Sequence, residues 1–335
     1  MVTPLTSNLF FRVYGERFDR NSTTLLSGAD ASDAWDMTQG GFRMDYYPSE
    51  VNTLTLQGDF YSGTEETTPD STVDGQNVLG RWTRTFSEES DMSLQLYWDR
   101  TWRRDVPSTI IDELNTYDLD FQHRFPIGER NNIVWGMGYR LMQENTPTTT
   151  ALAGFAPQKR NMQLFSGFAQ DEITLVRERL KLTLGTKLEH NDFSGFEVQP
   201  SARLAWTPTE RQTIWGAISR AVRTPGRLDV DYHIPKDPLP FPPYYAIAGG
   251  PDFDSEKVIA YEVGYRIQPI QKLSLSLAGF YNAYDDIYDV ELANPPAHFL
   301  IRPKTESLAN RGERNYLECF RRQIGGVCAR LYLFS

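Results

Sequence analysis

Two neighbouring groups of side chains stand out for what they can bind. Arg220, Arg223 and Arg227 follow one another closely where a strand runs into the loop Pro235-Lys236-Asp237-Pro238-Leu239-Pro240-Phe241-Pro242-Pro243-Tyr244-Tyr245. Guanidinium pairs well with carboxylate, so these arginines can attract an anionic chelate. Phe241, Tyr244 and Tyr245 can stack on a planar or chelated ligand, and the surrounding prolines limit the entropy lost when the loop orders. Each feature also has a plainer reading. Arginines at such positions can line an interior and pair with acidic side chains, and a proline-rich loop can pack over its own rim.

Other chemistry finds little support. Asp252, Asp254 and Glu256 are spaced two apart, and Asp285, Asp289 and Glu291 lie close together. Calcium takes oxygen ligands from such clusters, but neither shows the full loop pattern, so a solvated acidic rim is expected and no metal site is assigned. His123, His190, His233 and His298 are scattered, never at metal-ligand spacing. No GxSxG, Walker-type or HExxH motif occurs, and no carboxylate pair is singled out as an acid–base couple. The expectation is a protein that is not an enzyme and needs no cofactor.

The elements that must position these residues are strands. Period-two alternation dominates. Leu180, Leu182, Leu184 and Leu188 face one way, while Arg179, Lys181, Thr183, Lys187 and Glu189 face the other. The same pattern recurs at 53–60, 117–125, 259–267 and 272–282, and more weakly at 9–16, 42–47, 77–86, 92–102, 133–141, 162–175, 202–206 and 213–220. Short turns near 48–51, 87–91, 126–130, 176–179, 207–211 and 268–271 take turns with longer polar connections near 18–34, 63–75, 104–112, 144–160, 191–197 and 222–255. An up-and-down transmembrane barrel sorts its loops in this way, with short turns at one rim and long loops at the other. Polar residues at inward positions suit a wide barrel rather than a packed soluble one.

Composition agrees. No run approaches the roughly 18 apolar residues of a membrane helix, yet aromatic residues reach 13%, and Tyr and Trp favour membrane interfaces. The net charge of −10 argues against nucleic acid as a partner. The N-terminus, Met1-Val2-Thr3-Pro4-Leu5-Thr6-Ser7, has neither the basic nor the apolar region of a signal peptide.

Four stretches resemble the barrel domain of TonB-dependent outer-membrane receptors. They are Gln39–Asp45 (QGGFRMD); Phe168–Ile173 (FAQDEI) followed by Leu180–His190; Pro200–Pro208 (PSARLAWTP) leading to Ser219–Pro225 (SRAVRTP); and Tyr261–Arg266 (YEVGYR) leading to Phe280–Ile287. Their order and spacing run over roughly 9–290. The resemblance implies an all-β, antiparallel, up-and-down barrel of about 22 strands, of which about 13 or 14 are countable from alternation. It also implies an outer-membrane location in a Gram-negative bacterium and contact with outer-membrane lipid. Active uptake of a scarce nutrient, a ferric siderophore first among them, and engagement of TonB through a plug domain would follow. No counterpart of that plug is recognisable, so 1–310 are expected to form part of the barrel and not to transport alone. An open barrel edge leaves backbone groups unpaired in hydrocarbon, each costing several kcal/mol, so the chain by itself is not expected to insert as a stable monomer. A passive porin and a soluble β-propeller or carbohydrate-active domain are the alternatives.

Residues 311–335 depart from the pattern. Alternation fades, arginines cluster, and Cys319 and Cys328 appear. A disulfide-closed loop is one reading, and a tail out of frame or foreign to the family is the favoured one.

Overall fold

The computed structural model describes Thr3–Leu333 apart from residues 7, 68, 106–109, 149–152, 236, 238, 241–246, 251–252, 272, 288, 294–297 and 303–322; at 3–6, at 110, at 247–248 and from 289 onward only the backbone is described. The strands are β1 (Thr3–Thr6), β2 (Leu9–Arg20), β3 (Trp35–Ser49), β4 (Asn52–Glu65), β5 (Ser71–Ser87), β6 (Ser90–Asp105), β7 (Ile110–Ile127), β8 (Asn131–Asn145), β9 (Gly154–Phe155) and β10 (Lys159–Val176). They continue with β11 (Leu180–Asn191), β12 (Gly195–Thr209), β13 (Gln212–Arg223), β14 (Tyr232–Ile234), β15 (Ile247–Ala248), β16 (Glu256–Ile270), β17 (Leu273–Asp285), β18 (Asp289–Ala293), β19 (His298–Arg302) and β20 (Gln323–Leu333). A single helical turn, α1 (Arg227–Val230), lies between β13 and β14.

Fifteen strands form one antiparallel sheet in the order β1-β2-β3-β4-β5-β6-β7-β8-β10-β11-β12-β13-β16-β17-β20. Neighbours in space are neighbours along the chain, apart from the short strands interposed in loops. This is the up-and-down meander that the loop rhythm predicts. The sheet has more strands than alternation reveals. The four residues of β1 are too few to show a period, and β20 falls in the tail expected to be irregular, where its backbone pairs with β17 over Gln323–Leu333. Cys319 lies outside the described residues.

Register sorts the two faces. One row runs Tyr46–Leu54–Trp82–Leu94–Phe121–Met137 through directly opposed residues and ends at Leu188 and Val198. The row one residue away runs Asp45–Thr55–Arg81–Gln95–Asp120 and ends at Glu189 and Glu197. A one-residue slip in any strand would put charge into the apolar row, so each pair reinforces the register of the next. On β12 the apolar side spans Val198 to Trp206, about 26 Å along the strand. A strand tilt near 40° turns that into roughly 20 Å of height, close to the apolar band of a transmembrane barrel.

The apolar face carries aromatic groups towards both ends. Near the short turns His123 stacks on Phe125 at 4.8 Å, with Phe86 at 5.9 Å and Trp135 at 6.4 Å. Towards the long loops Tyr139 meets Phe165 at 4.6 Å, and His190 meets Phe196 at 6.1 Å. Amphipathic rings at these heights suit the headgroup levels of a bilayer. Asp171 is an exception on this face: it sits opposite Ile133 and Leu184, near the short-turn rim, and accepts a hydrogen bond from Asn131 Nδ2.

The polar face pairs its charges along and between strands. Arg43 meets Asp45 at 2.8 Å, Arg124 meets Asp91 at 2.6 Å, Arg140 meets Asp118 at 2.8 Å, and Lys181 meets Glu172 at 2.6 Å. These pairs are partly solvated, so each contributes at most about 1 kcal/mol. Their effect is to keep a charged inner wall from repelling itself.

The strands outrun their alternating cores. β4 and β5 leave only 66–70 between them, and β11 and β12 leave only 192–194, where long loops are expected. The second case has a local cause. Asn191 Oδ1 accepts from the backbone N–H of Phe193 at 2.9 Å and of Ser194 at 2.8 Å, and Gly195 adopts φ +73°. An Asx turn followed by a left-handed glycine closes the hairpin within three residues.

Candidate ligand-facing rim

The long connections gather at one rim, where side chains from distant segments meet. Arg227 opens α1, and its fork reaches across the rim. Nε donates to Asp231 Oδ2 at 2.9 Å, Nη1 donates to Thr146 Oγ1 at 3.2 Å and lies 3.1 Å from Glu144 Oε1, and Nη2 donates to the Pro157 carbonyl. Four of the five N–H donors of a guanidinium therefore have partners within the chain. The plane also lies over the Phe155 ring, 4.9 Å from its centroid. Arg227 is only 5% exposed.

Asp231 is shared. It also accepts from Arg160 Nη1 at 2.5 Å, and the Arg160 guanidinium lies 4.4 Å from the Phe193 centroid in the turn after β11. Two arginines and two carboxylates thus make a largely buried network, with the Asp112 carboxyl near enough to feel the Arg227 charge. Glu144 and Arg160 stand on the polar face of β8 and β10, so the connection from β13 to β16 folds over the inner side of the wall. Backbone contacts follow the side chains. Ala156 N donates to Asp231 O at 2.9 Å, and β14 pairs with both β9 and β15 in a small three-stranded sheet.

Arg220 occupies a gap in the wall. Pairing between β12 and β13 stops at Ser201 and Ser219, just below Pro200, although both strands continue in register with their other neighbours. Proline has no N–H to give a ladder, and the two strands part there. Arg220 fills the opening: Nη1 donates to the Val198 carbonyl and Nη2 reaches Glu197 Oε2 at 3.3 Å. Arg223 is the most open of the three. Its side chain is 58% exposed, with longer contacts to Asp229 at 3.6 Å and Glu256 at 3.4 Å. Phe241, Tyr244 and Tyr245 lie outside the described residues.

At the same rim, the β2–β3 loop is tied by Thr23, whose hydroxyl and backbone N–H donate to Asp33 at 2.7 and 2.6 Å. The hydroxyl bond first, and the backbone bond second, hold the Asp33 carboxyl below the usual carboxylate range.

The partners of the arginines are what the sequence conceals. Arg160 and Asp231 are 71 residues apart, and Arg227 and Thr146 are 81 apart. No local spacing connects them. The one available signal is that Arg227, Asp229 and Asp231 put a charged residue at every second position of a segment that follows Thr224-Pro225-Gly226.

Comparison with known proteins agrees with this architecture. A family model described as "TonB dependent receptor-like, beta-barrel" matches residues 2–307. The ferric enterobactin receptor of Pseudomonas aeruginosa is 34% identical over 95 residues, which is 27% of this chain and 13% of that protein. Among solved structures, the siderophore receptor PirA from Pseudomonas aeruginosa superposes with a TM-score of 0.72 at 17% identity, covering 98% of this chain and 58% of its own. PirA from Acinetobacter baumannii gives 0.73 at 13% identity, covering 99% and 56%. The chain thus spans a little over half the length of these solved receptors. The two structures show the fold, and the family model carries membership. The chain belongs to the TonB-dependent receptor β-barrel family, whose members are transporters and not enzymes.

Proposed function

We propose that this chain supplies wall and rim to an outer-membrane receptor that takes up a ferric siderophore in a TonB-dependent manner. The observation that carries the reading is the two-faced register. One face is apolar through row after row, with rings at both heights, and the other is charged and internally paired. Such a wall separates lipid from a wide polar interior. The names of the relatives, a ferric enterobactin receptor and two siderophore receptors, support the cargo. On this reading Arg223, with Phe241, Tyr244 and Tyr245, meets an anionic chelate at the long-loop rim, which faces outward. Arg220 and Arg227 act one step back, holding the wall and the loop. The interior is filled by a plug that TonB moves from the periplasm.

The test is growth on limiting iron in a Gram-negative host stripped of its own siderophore receptors. The complete receptor gene is supplied, with ferric enterobactin and ferric hydroxamate and carboxylate siderophores offered separately. Growth with at least one chelate, abolished when TonB is deleted, is expected. Diffusion of small sugars through the protein in liposomes, with no chelate rescue and no TonB dependence, would instead favour a passive porin.

A further inference from the structure

We infer that Arg227 and Asp231 join the described parts of two long rim connections, 146–148 with 153–158 and 224–235 with 247–250, into a single rigid body, so that this part of the mouth offers its ligand a preformed wall. Arg227 is then a positioning residue, not a ligand contact. The inference rests on reading this rim as the ligand-facing one, and it deepens that reading by saying which part of the rim does not move.

The geometry supports it at three levels. Arg227 belongs to α1 yet makes bonds to Glu144 and Thr146 at the end of β8 and to the Pro157 carbonyl in the loop that follows. Asp231 bonds both Arg227, from its own loop, and Arg160, from the strand that receives the other loop. The backbone repeats the connection, because Ala156 N donates to Asp231 O and β14 pairs with β9. Charge pairing explains why the joint stays closed. Each guanidinium faces a carboxylate with little solvent between them, so removing one member leaves a buried charge without its partner, which is far more costly than losing a surface pair. Planarity matters as well as charge. The guanidinium presents donors in fixed directions to four acceptors on three segments, whereas an ammonium is a point charge on a flexible stem.

A body joined in this way opens as one unit. Hydrogen exchange of the complete receptor in outer-membrane vesicles reads this directly and needs no ligand. In the wild type, the amides of Thr146, Ala156, Gly249 and Gly250, each bonded within or between these loops, are expected to share one opening rate. Arg227→Lys keeps the charge but loses the fork, and is expected to speed all four together by about 100-fold. The strand amides around Leu184 should not change. Arg177→Met, which removes an exposed pair with Glu129 at the short-turn rim, should leave all four amides at wild-type rates. Faster exchange confined to 224–250 in Arg227→Lys, with Thr146 and Ala156 unaffected, would overturn the inference. If Arg227→Lys does not reach the membrane, the wild type decides alone: four unrelated opening rates in rising denaturant would overturn the single body. A failure here leaves the uptake reading standing, and a failure of chelate-dependent growth leaves the joined loops standing.

Discussion

Leu184→Arg is expected to cost the folded barrel about 2–4 kcal/mol, while Ser201→Arg changes it by less than about 1 kcal/mol. Leu184 is 44% exposed in a row of Leu180, Leu182 and Leu188 on β11 and stands directly opposite Ala202. Ser201 is the next residue along β12, at nearly the same height, but it faces the polar side between Gly185 and Ser219. The two variants introduce the same charge a few ångströms apart, so the comparison isolates the face. Lipid cannot solvate a guanidinium near its midplane, whereas a wet interior can. Urea titration in lipid vesicles, read by the heat-modifiable shift of the folded form on a gel, gives both values. Equal losses for the two variants would mean that the faces have been assigned wrongly.

The second large effect concerns the inner wall, where Gly264 lies beneath Trp215 in a directly opposed pair on β16 and β13. A Cβ on Gly264 would stand 2.2 Å from Trp215 Cε2 and 2.3 Å from its Nε1. No real side chain tolerates that, so Gly264→Val must drive the indole off the sheet into the interior. The expected cost is about 1–3 kcal/mol, the usual range for overpacking, with a red shift in Trp215 emission against a background lacking the other tryptophans. Tyr61 covers Gly75 in the same manner, at 2.3 Å from a built Cβ. These glycines leave room for a ring to lie flat, and the ring in turn covers backbone that a glycine would leave bare. Retained stability in Gly264→Val, with unchanged Trp215 emission, would show that the ring does not rest there.

The sequence exposes the middle of each strand and hides its ends, for a physical reason. Alternation is visible only where one face is apolar, and that is the height of the bilayer. β7 is read from Tyr117 to Phe125 but runs from Ile110 to Ile127. β4 is read from Thr53 to Phe60 but continues to Glu65. Above the belt both faces are polar, the period disappears, and the continuation looks like loop. The turn at 192–194 was hidden for a different reason, since it depends on one asparagine side chain and one glycine φ rather than on composition.

At the rim, the sequence identifies the arginines but not their assignments. Arg220, Arg223 and Arg227 look alike along the chain, yet one fills a parted seam, one stays open, and one is buried against Glu144 and Asp231. Those outcomes depend on Pro200 ending a ladder and on partners up to 81 residues away. Long-range pairing of this kind leaves no local trace.

The central claim, that this sheet is a membrane wall with lipid on one face and water on the other, is tested most directly by spin labels placed singly at 180–190 in vesicle-embedded receptor. Oxygen should collide preferentially with labels at 182, 184, 186 and 188, and a water-soluble nickel chelate with labels at 181, 183, 185 and 187, alternating with a period of two. Nickel access at 182, 184 and 188 equal to that at their neighbours would place the apolar row in water and contradict the account.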